Sequence, residues 1–184
     1  MIHIVSGPTC AGKSTCIQSS RTRSIANLPA SSPVVFPSAI RDNAGVLQGS
    51  CVLHYNILRT ADHLCEMSDR TSQAMYDFSS DPAWREVRRR AQPRSAIVLL
   101  ASRSVLEKRM SARQHIEPEW LAHPPAEYPV EHWMMILKKV DLRALYMAWC
   151  AELEDASIPY TLLGSENMDY EIIESERFRK LDLN

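Results

Sequence analysis

The sequence has almost no excess of charge, no long apolar run and no paired cysteine motif. Its 184 residues carry 21 lysines and arginines against 22 aspartates and glutamates, a net charge of −1, which provides no general attraction to nucleic acid or to an anionic membrane. No apolar stretch approaches the ~20 residues of a transmembrane helix. Five cysteines without a C-x-x-C pair argue against a disulfide framework and for free thiols in a reducing compartment. We therefore expect no membrane association and a cytoplasmic protein.

The amino-terminal end carries the most informative motif. Residues 7–14 read G-P-T-C-A-G-K-S and match the phosphate-binding loop G-x-x-x-x-G-K-[ST] at every fixed position. An apolar run at 2–5 precedes the motif and a helix-favouring segment at 14–20 follows it, so the strand–loop–helix context is complete. The motif predicts binding of a nucleoside triphosphate. Because it begins within the first ten residues, we also expect no cleavable signal peptide.

The positions of this loop have distinct expected roles. The glycines let the backbone approach an anion, and the N–H groups of the loop and of the helix start surround the phosphates. Lys13 is expected to act on the outer phosphates in catalysis, and the Ser14 hydroxyl is expected to bind Mg²⁺. The predicted nucleotide-binding residues are Gly7, Thr9, Cys10, Ala11, Gly12, Lys13, Ser14 and Thr15.

Cys10 allows two interpretations. It lies near Lys13 and a helix N-terminus, and both would lower the pKa of its thiol and make it sensitive to oxidation or alkylation. Alternatively, it is a small residue that fits the loop.

Strand-like and helix-like segments alternate along the chain, which predicts an α/β fold with helices on both faces of a parallel sheet. We find no internal repeat and no linker, so residues 1–184 are expected to form a single domain with three α/β/α layers. Helices are expected at 104–113 and 131–156, and an amphipathic segment at 170–180. The five expected parallel strands are 2–5, 33–36, 51–55, 95–101 and 158–163.

The ends of the central strands argue against hydrolases. A motor-type ATPase usually ends a buried strand with an Asp-Glu pair, but the strand at 51–55 ends in His54, Tyr55 and Asn56. A GTPase should carry the guanine-reading N-K-x-D, which this sequence lacks. His54 and Asn56 lie at the carboxyl end of a central strand, where open α/β sheets bind ligands. They are therefore candidate substrate contacts, and the alternative that they serve as structural polar residues with partners inside the fold stays open.

Residues 95–113 resemble the entry to the lid of nucleoside monophosphate kinases and related small-molecule kinases. An apolar strand leads to V-L-E-K-R-M-S-A-R at 105–113, similar to V-L-x-x-R-x-x-x-R in that P-loop kinase superfamily. The resemblance implies a P-loop NTPase fold with a lid at 114–130, where prolines are dense. It implies that Arg109 binds the nucleotide, that Arg113 acts in catalysis, and that the loop after the last strand packs near the adenine. The implied activity is transfer of the γ-phosphoryl group of Mg²⁺-bound ATP to a small-molecule or nucleotide acceptor.

The same analogy suggests a catalytic base and an acceptor site. In these kinases a carboxylate tends to follow the second strand, a place that Asp42 fits, or to lie near the end of the third, which Asp62 fits less well. Asp42 can also be read as an ordinary turn residue. Arg41 and Arg59 are candidates for binding an anionic acceptor.

Two further functions stay open. The basic run at 84–90 and four tryptophans could serve a polynucleotide or RNA-end kinase, although the near-zero net charge disfavours nucleic acid as a partner. A nucleotide-binding regulatory module without turnover would also need the phosphate loop. The sequence does not identify the acceptor or the oligomeric state.

Overall fold

The structure is a computed structural model, and its described residues contain a mixed α/β fold. Positions 22, 41, 42, 44, 114 and 130 are described by their backbone only. The described residues are 1–25, 28–29, 32–47, 49–59, 76–114, 130–167 and 169–184. Their strands are β1 (Ile2–Gly7), β2 (Val34–Val35), β3 (Cys51–Asn56), β4 (Pro93–Leu100), β5 (Tyr160–Gly164) and β6 (Glu171–Ile172).

Helices follow most of these strands and flank the sheet. Short 3₁₀ turns cover Ala44–Leu47 and Phe78–Ser80. The described helices are α1 (Lys13–Gln18), α2 (Ser20–Ile25), α3 (Pro37–Asp42), α4 (Pro82–Arg90), α5 (Arg103–Gln114), α6 (Val130–Lys139), α7 (Leu142–Asp155) and α8 (Ser175–Phe178). None of these helices is both long enough and apolar enough to span a bilayer.

The sheet has the order β2-β3-β1-β4-β5-β6 within the described residues. Its first five strands are parallel, as predicted, and β1 lies between β3 and β4. The sixth strand is a correction to the predicted five, because β6 adds an antiparallel edge to β5. With two residues it is too short to give an alternating pattern in the sequence. The register pairs Gly7 with Asn56, so the phosphate loop and the end of β3 share the carboxyl edge of the sheet.

The predicted helix at 131–156 is wrong in one respect, since α6 and α7 are separate helices. Asp141 lies between them and caps α7, its side chain accepting a 3.0 Å hydrogen bond from the Ala144 N–H. The apolar stripe nevertheless continues through both helices, which explains why the pattern predicted one. Its buried members are Trp133, Ile136, Leu137, Val140, Leu145, Trp149 and Leu153.

An aromatic cluster fixes α7 and α4 against the sheet. The Trp149 ring lies 4.9 Å from Tyr55, 4.7 Å from Phe78 and 4.8 Å from Trp84, measured between ring centroids. The Trp149 indole N–H donates to Ser6 Oγ at 2.8 Å, which satisfies its polar atom inside the core. The cluster thereby supports the ends of β1 and β3, next to the phosphate loop.

Candidate functional site

The phosphate loop adopts backbone conformations that favour glycine. Gly7 has φ +148° and Gly12 has φ +92° at the N-cap of α1. A Cβ on Gly7 would lie 2.9 Å from the Leu99 carbonyl oxygen of β4, which is too close for a real side chain. Cys10 has φ +65°, uncommon for a residue with a Cβ. Together these three positions turn the chain sharply between β1 and α1.

The remaining loop positions complete the turn. The Ala11 N–H donates to the Pro8 carbonyl at 3.2 Å, and Ala11 is fully buried. Thr15 lies exposed in the first turn of α1. The structure therefore places the predicted nucleotide-binding residues of the loop in one continuous turn that leads into a helix N-terminus, an arrangement suited to anions.

Lys13 is the first residue of α1 and is only 4% exposed. Its Nζ donates to the carbonyl oxygens of Gly7 at 3.0 Å and Pro8 at 2.5 Å, so the ammonium lies over the loop. Burial lowers the pKa of Lys13 to about 7, and the positive charge of Arg113 adds to this effect. A polyphosphate at the loop would place negative charge next to this ammonium.

Ser14, the predicted magnesium ligand, faces the end of β3. Its Oγ lies 3.4 Å from His54 Nε2. Burial, followed by the charge of Lys13, lowers the pKa of His54 to about 3, so the ring is neutral and can accept the Ser14 proton through a nitrogen lone pair. A hydroxyl whose proton is directed to a neighbour offers its oxygen to a cation, which fits Mg²⁺ chemistry.

Asn56 links the loop to β3. Its Nδ2 donates to Thr9 Oγ1 at 2.8 Å, while its Oδ1 accepts from the Leu58 N–H at 3.1 Å. Both polar ends of the amide are therefore used within the fold. These contacts give Asn56 a structural function at the place where the sequence suggested a substrate contact.

Of the two interpretations of Cys10, the structure favours a small residue that fits the loop. Its thiol is 7% exposed, and burial raises its pKa more than the nearby cations Arg113, Lys13 and Arg109 lower it. The thiol is therefore the protonated, less nucleophilic form. Cys10 is a small residue that fits the loop.

Helix α5 carries Arg109 and Arg113 to the phosphate loop. Arg109 Nη1 donates to the Cys10 carbonyl at 3.3 Å, and Nη2 donates to the carbonyls of Ser165 and, at 3.0 Å, Glu166. Arg113 hydrogen-bonds with the Cys10 side chain, and its charge affects Lys13. As the spacing of four predicts, the two guanidinium groups point to the same side of the helix.

The chain after β5 also contacts the phosphate loop. Motif analysis did not identify Glu166 and Tyr170, the two residues that position this part of the chain. The Tyr170 hydroxyl donates to the Gly12 carbonyl at 2.8 Å. Glu166 accepts from the Ser102 N–H at 2.6 Å, which fixes the segment to the start of α5. Neither residue belongs to a motif, and contacts over such sequence separations leave no local pattern.

Beside β3 lies a buried carboxylate that the sequence did not single out. Asp81 is fully buried; it accepts from the Tyr55 hydroxyl at 2.7 Å and from the Ala83 N–H at 2.9 Å. Arg59 Nε lies 3.5 Å from the same carboxylate. Asp81 thereby holds Arg59, a candidate for binding an anionic acceptor, at the carboxyl edge of the sheet.

Other predicted features lie outside the described residues. Asp42 ends α3, but its side chain and that of Arg41 are not described, and Asp62 is not described. Of the predicted lid at 114–130, only the backbone of the two end residues is described. The catalytic base and the lid therefore stay predictions.

Comparisons with known proteins find no matching family model and no matching curated protein. Among solved structures, deoxyadenosine kinase from M. mycoides with bound dCTP aligns with 98% of this chain and 95% of its own, with a TM-score of 0.48 and 12% identity. YorR protein from Bacillus subtilis, in complex with phosphorylated GDP, aligns with 84% of this chain and 98% of its own, with a TM-score of 0.37 and 13% identity. The fold assignment rests on the strand order and loop geometry of this chain.

Proposed function

We propose that this chain is an ATP-dependent phosphotransferase that transfers the γ-phosphoryl group of Mg²⁺-bound ATP to a small-molecule or nucleotide acceptor. The observation that carries the proposal is the phosphate loop. Gly7 and Gly12 have positive φ, Lys13 lies buried over the loop carbonyls, and the loop ends at a helix N-terminus. This arrangement offers backbone N–H groups and one buried cation to a chain of phosphates.

Phosphoryl transfer requires positioning and neutralisation of charge, with little covalent work from the protein. Lys13 would neutralise the outer phosphates, and Arg113 would approach the transferring group from α5. Ser14 would hold Mg²⁺, which supplies further positive charge when bound. The charges of both Arg113 and Lys13 act on Cys10, so both cations already lie near the phosphate loop.

The acceptor would bind at the carboxyl edge of the sheet beside β3. Arg59, held by Asp81, would bind an anionic group of the acceptor. Asp42 would remove the proton of the acceptor hydroxyl, an assignment that depends on the kinase resemblance alone. Such a base typically contributes 10²–10⁴-fold to the rate.

The polynucleotide-kinase alternative has little support from the described residues. Stacking on bases needs exposed aromatic rings, but Trp84, Trp133 and Trp149 are at most 5% exposed. Three of the four arginines in the basic run have carboxylate partners within the fold: Arg88 bonds to Glu152 and Asp155, and Arg89 and Arg90 bond to Glu86. These arginines are therefore engaged before any phosphate backbone arrives.

The direct test is a screen with labelled ATP and Mg²⁺ against nucleosides, nucleoside monophosphates, sugars and amino alcohols, with mass spectrometry of the products. Lys13→Ala should keep its circular dichroism spectrum and lose phosphoryl transfer. Lys108→Ala is a matched control, because Lys108 is exposed on α5. An active Lys13→Ala variant with normal nucleotide affinity would overturn the kinase assignment. Nucleotide binding without turnover of any acceptor would favour the regulatory module.

A further inference from the structure

Arg109 forms its described hydrogen bonds with carbonyl oxygens of two separate chain segments. One acceptor, Cys10, belongs to the phosphate loop, and the other two, Ser165 and Glu166, follow β5. A planar guanidinium presents several N–H donors in fixed directions, so one side chain can set the separation of two segments. A residue that served phosphates alone would have no need of these three backbone partners.

Tyr170 makes a second connection between the same two regions. Its hydroxyl donates to the Gly12 carbonyl at 2.8 Å across 158 positions of sequence. Tyr170 is 5% exposed and has φ +46°, a conformation that is costly for a bulky residue. The fold therefore holds the Tyr170 side chain against the phosphate loop although this requires an unfavourable backbone conformation at Tyr170.

The segment 165–167 is also anchored to the sheet and to α5. The N–H and Oγ of Ser165 donate to the Leu100 carbonyl at 2.8 and 3.1 Å, and Ser165 is fully buried. The Glu166 carboxylate accepts from the N–H and Oγ of Ser102 at 2.6 and 3.2 Å. With this support, the segment can keep the phosphate loop at a fixed distance.

We propose that Arg109 and Tyr170 are positioning residues that connect the phosphate loop to the chain after β5, Arg109 through segment 165–167 and Tyr170 through its own position, so that they set nucleotide affinity and base selection and leave the transfer rate nearly unchanged. The inference rests on the proposed function, since it takes the loop to bind a nucleoside triphosphate. A rigid bridge fixes where the base must lie once the phosphates are bound, which is a ground-state effect. It differs from the direct nucleotide contact that the kinase resemblance implies for Arg109.

The bridge itself is tested without nucleotide, by hydrogen exchange of the free protein. Arg109→Met has similar length but no donors, and Tyr170→Phe removes only the hydroxyl. Loss of the Arg109 hydrogen bonds should speed exchange in segments 10–12 and 165–167 by about tenfold, and loss of the Tyr170 hydroxyl should speed exchange in segment 10–12 by about tenfold. Lys108→Met, on the exposed side of the same helix, should leave exchange unchanged. Equal exchange in wild type, Arg109→Met and Tyr170→Phe would refute the bridge.

The functional consequence is tested by binding and kinetics with ATP and GTP. Arg109→Met and Tyr170→Phe should raise Kd and KM for the preferred nucleotide by about tenfold and keep kcat within about twofold. The Kd values for ATP and GTP should also become more similar to each other than they are in the wild type. A fall in kcat with unchanged Kd would instead make Arg109 a catalytic residue and overturn the proposal. If wild type binds neither nucleotide while exchange still accelerates in the variants, the proposed function fails, and the bridge stands as a structural feature only.

Discussion

Lys13 provides a prediction whose size follows from its surroundings. Its Nζ is buried against the carbonyls of Gly7 and Pro8, and burial lowers its pKa to about 7. A bound polyphosphate would raise this pKa again, because negative charge favours the ammonium. Nucleotide binding should therefore be accompanied by proton uptake at any pH at which Lys13 is deprotonated in the free protein and protonated in the complex.

The sign and size of this proton uptake, and of the resulting change of Kd with pH, follow from thermodynamic linkage. Free Lys13 with a pKa of about 7 is mostly protonated at pH 6 and about one-tenth protonated at pH 8. If the bound pKa exceeds about 9, binding takes up roughly 0.1 proton at pH 6 and roughly 0.9 at pH 8. The apparent Kd should then rise about tenfold from pH 6 to pH 8, so affinity falls as pH rises through 7. A lysine with the ordinary pKa of about 10.4 would show no change in this range.

Isothermal titration calorimetry measures this uptake when ATP binding is repeated in buffers of different ionisation enthalpy. Lys13→Met is the control, because it keeps most of the apolar stem and removes the titrating group. Proton uptake by Lys13→Met should be near zero at pH 8. Any uptake that this variant still shows comes from the phosphates of the nucleotide. Equal uptake by wild type and Lys13→Met, or a wild-type Kd independent of pH between 6 and 8, would refute the reasoning.

Three further predictions concern the loop, a helix cap and the base. Gly7→Ala should lower the free energy of unfolding in urea by about 1–3 kcal/mol, because its Cβ would meet backbone at 2.9 Å; Gly49→Ala, which meets nothing within 4 Å, should change it by less than about 0.5 kcal/mol. Asp141→Ala should cost about 0.5–2 kcal/mol through loss of the α7 cap, measured against the exposed Asp182→Ala as control. Asp42→Asn should keep ATP affinity and lower turnover by about 10²–10⁴-fold; unchanged turnover would remove Asp42 as the base.

The parallel sheet and the phosphate loop could be predicted because their signals are local. Strand β4 is a continuous apolar run, as expected for a strand covered on both faces, and the loop motif fixes a short segment by itself. The boundary between α6 and α7 was missed, although Asp141 is a common N-cap residue, because the apolar stripe runs through it. Strand β6 was missed because two residues carry no periodicity.

The contacts of the candidate site were less predictable, because they join residues far apart in sequence. Spacing placed Arg109 and Arg113 on one side of α5 but could not show that Arg109 binds the carbonyls of Ser165 and Glu166. Composition could not show that Asp81 is buried beside Tyr55. For Cys10, the sequence places Lys13 nearby but cannot show how deeply the thiol is buried, and burial outweighs the nearby cations in setting its pKa.

The charges at the phosphate loop indicate how the site can be stable before nucleotide arrives. The positive charge of Arg113 lowers the pKa of Lys13, because two neighbouring cations repel each other. Burial reduces this repulsion because it lowers the pKa of Lys13 to about 7, and His54 is kept neutral for the same reason. The site can therefore carry less positive charge while free and gain it when phosphates bind, so that part of the charge complementarity to a polyphosphate is created by the ligand itself.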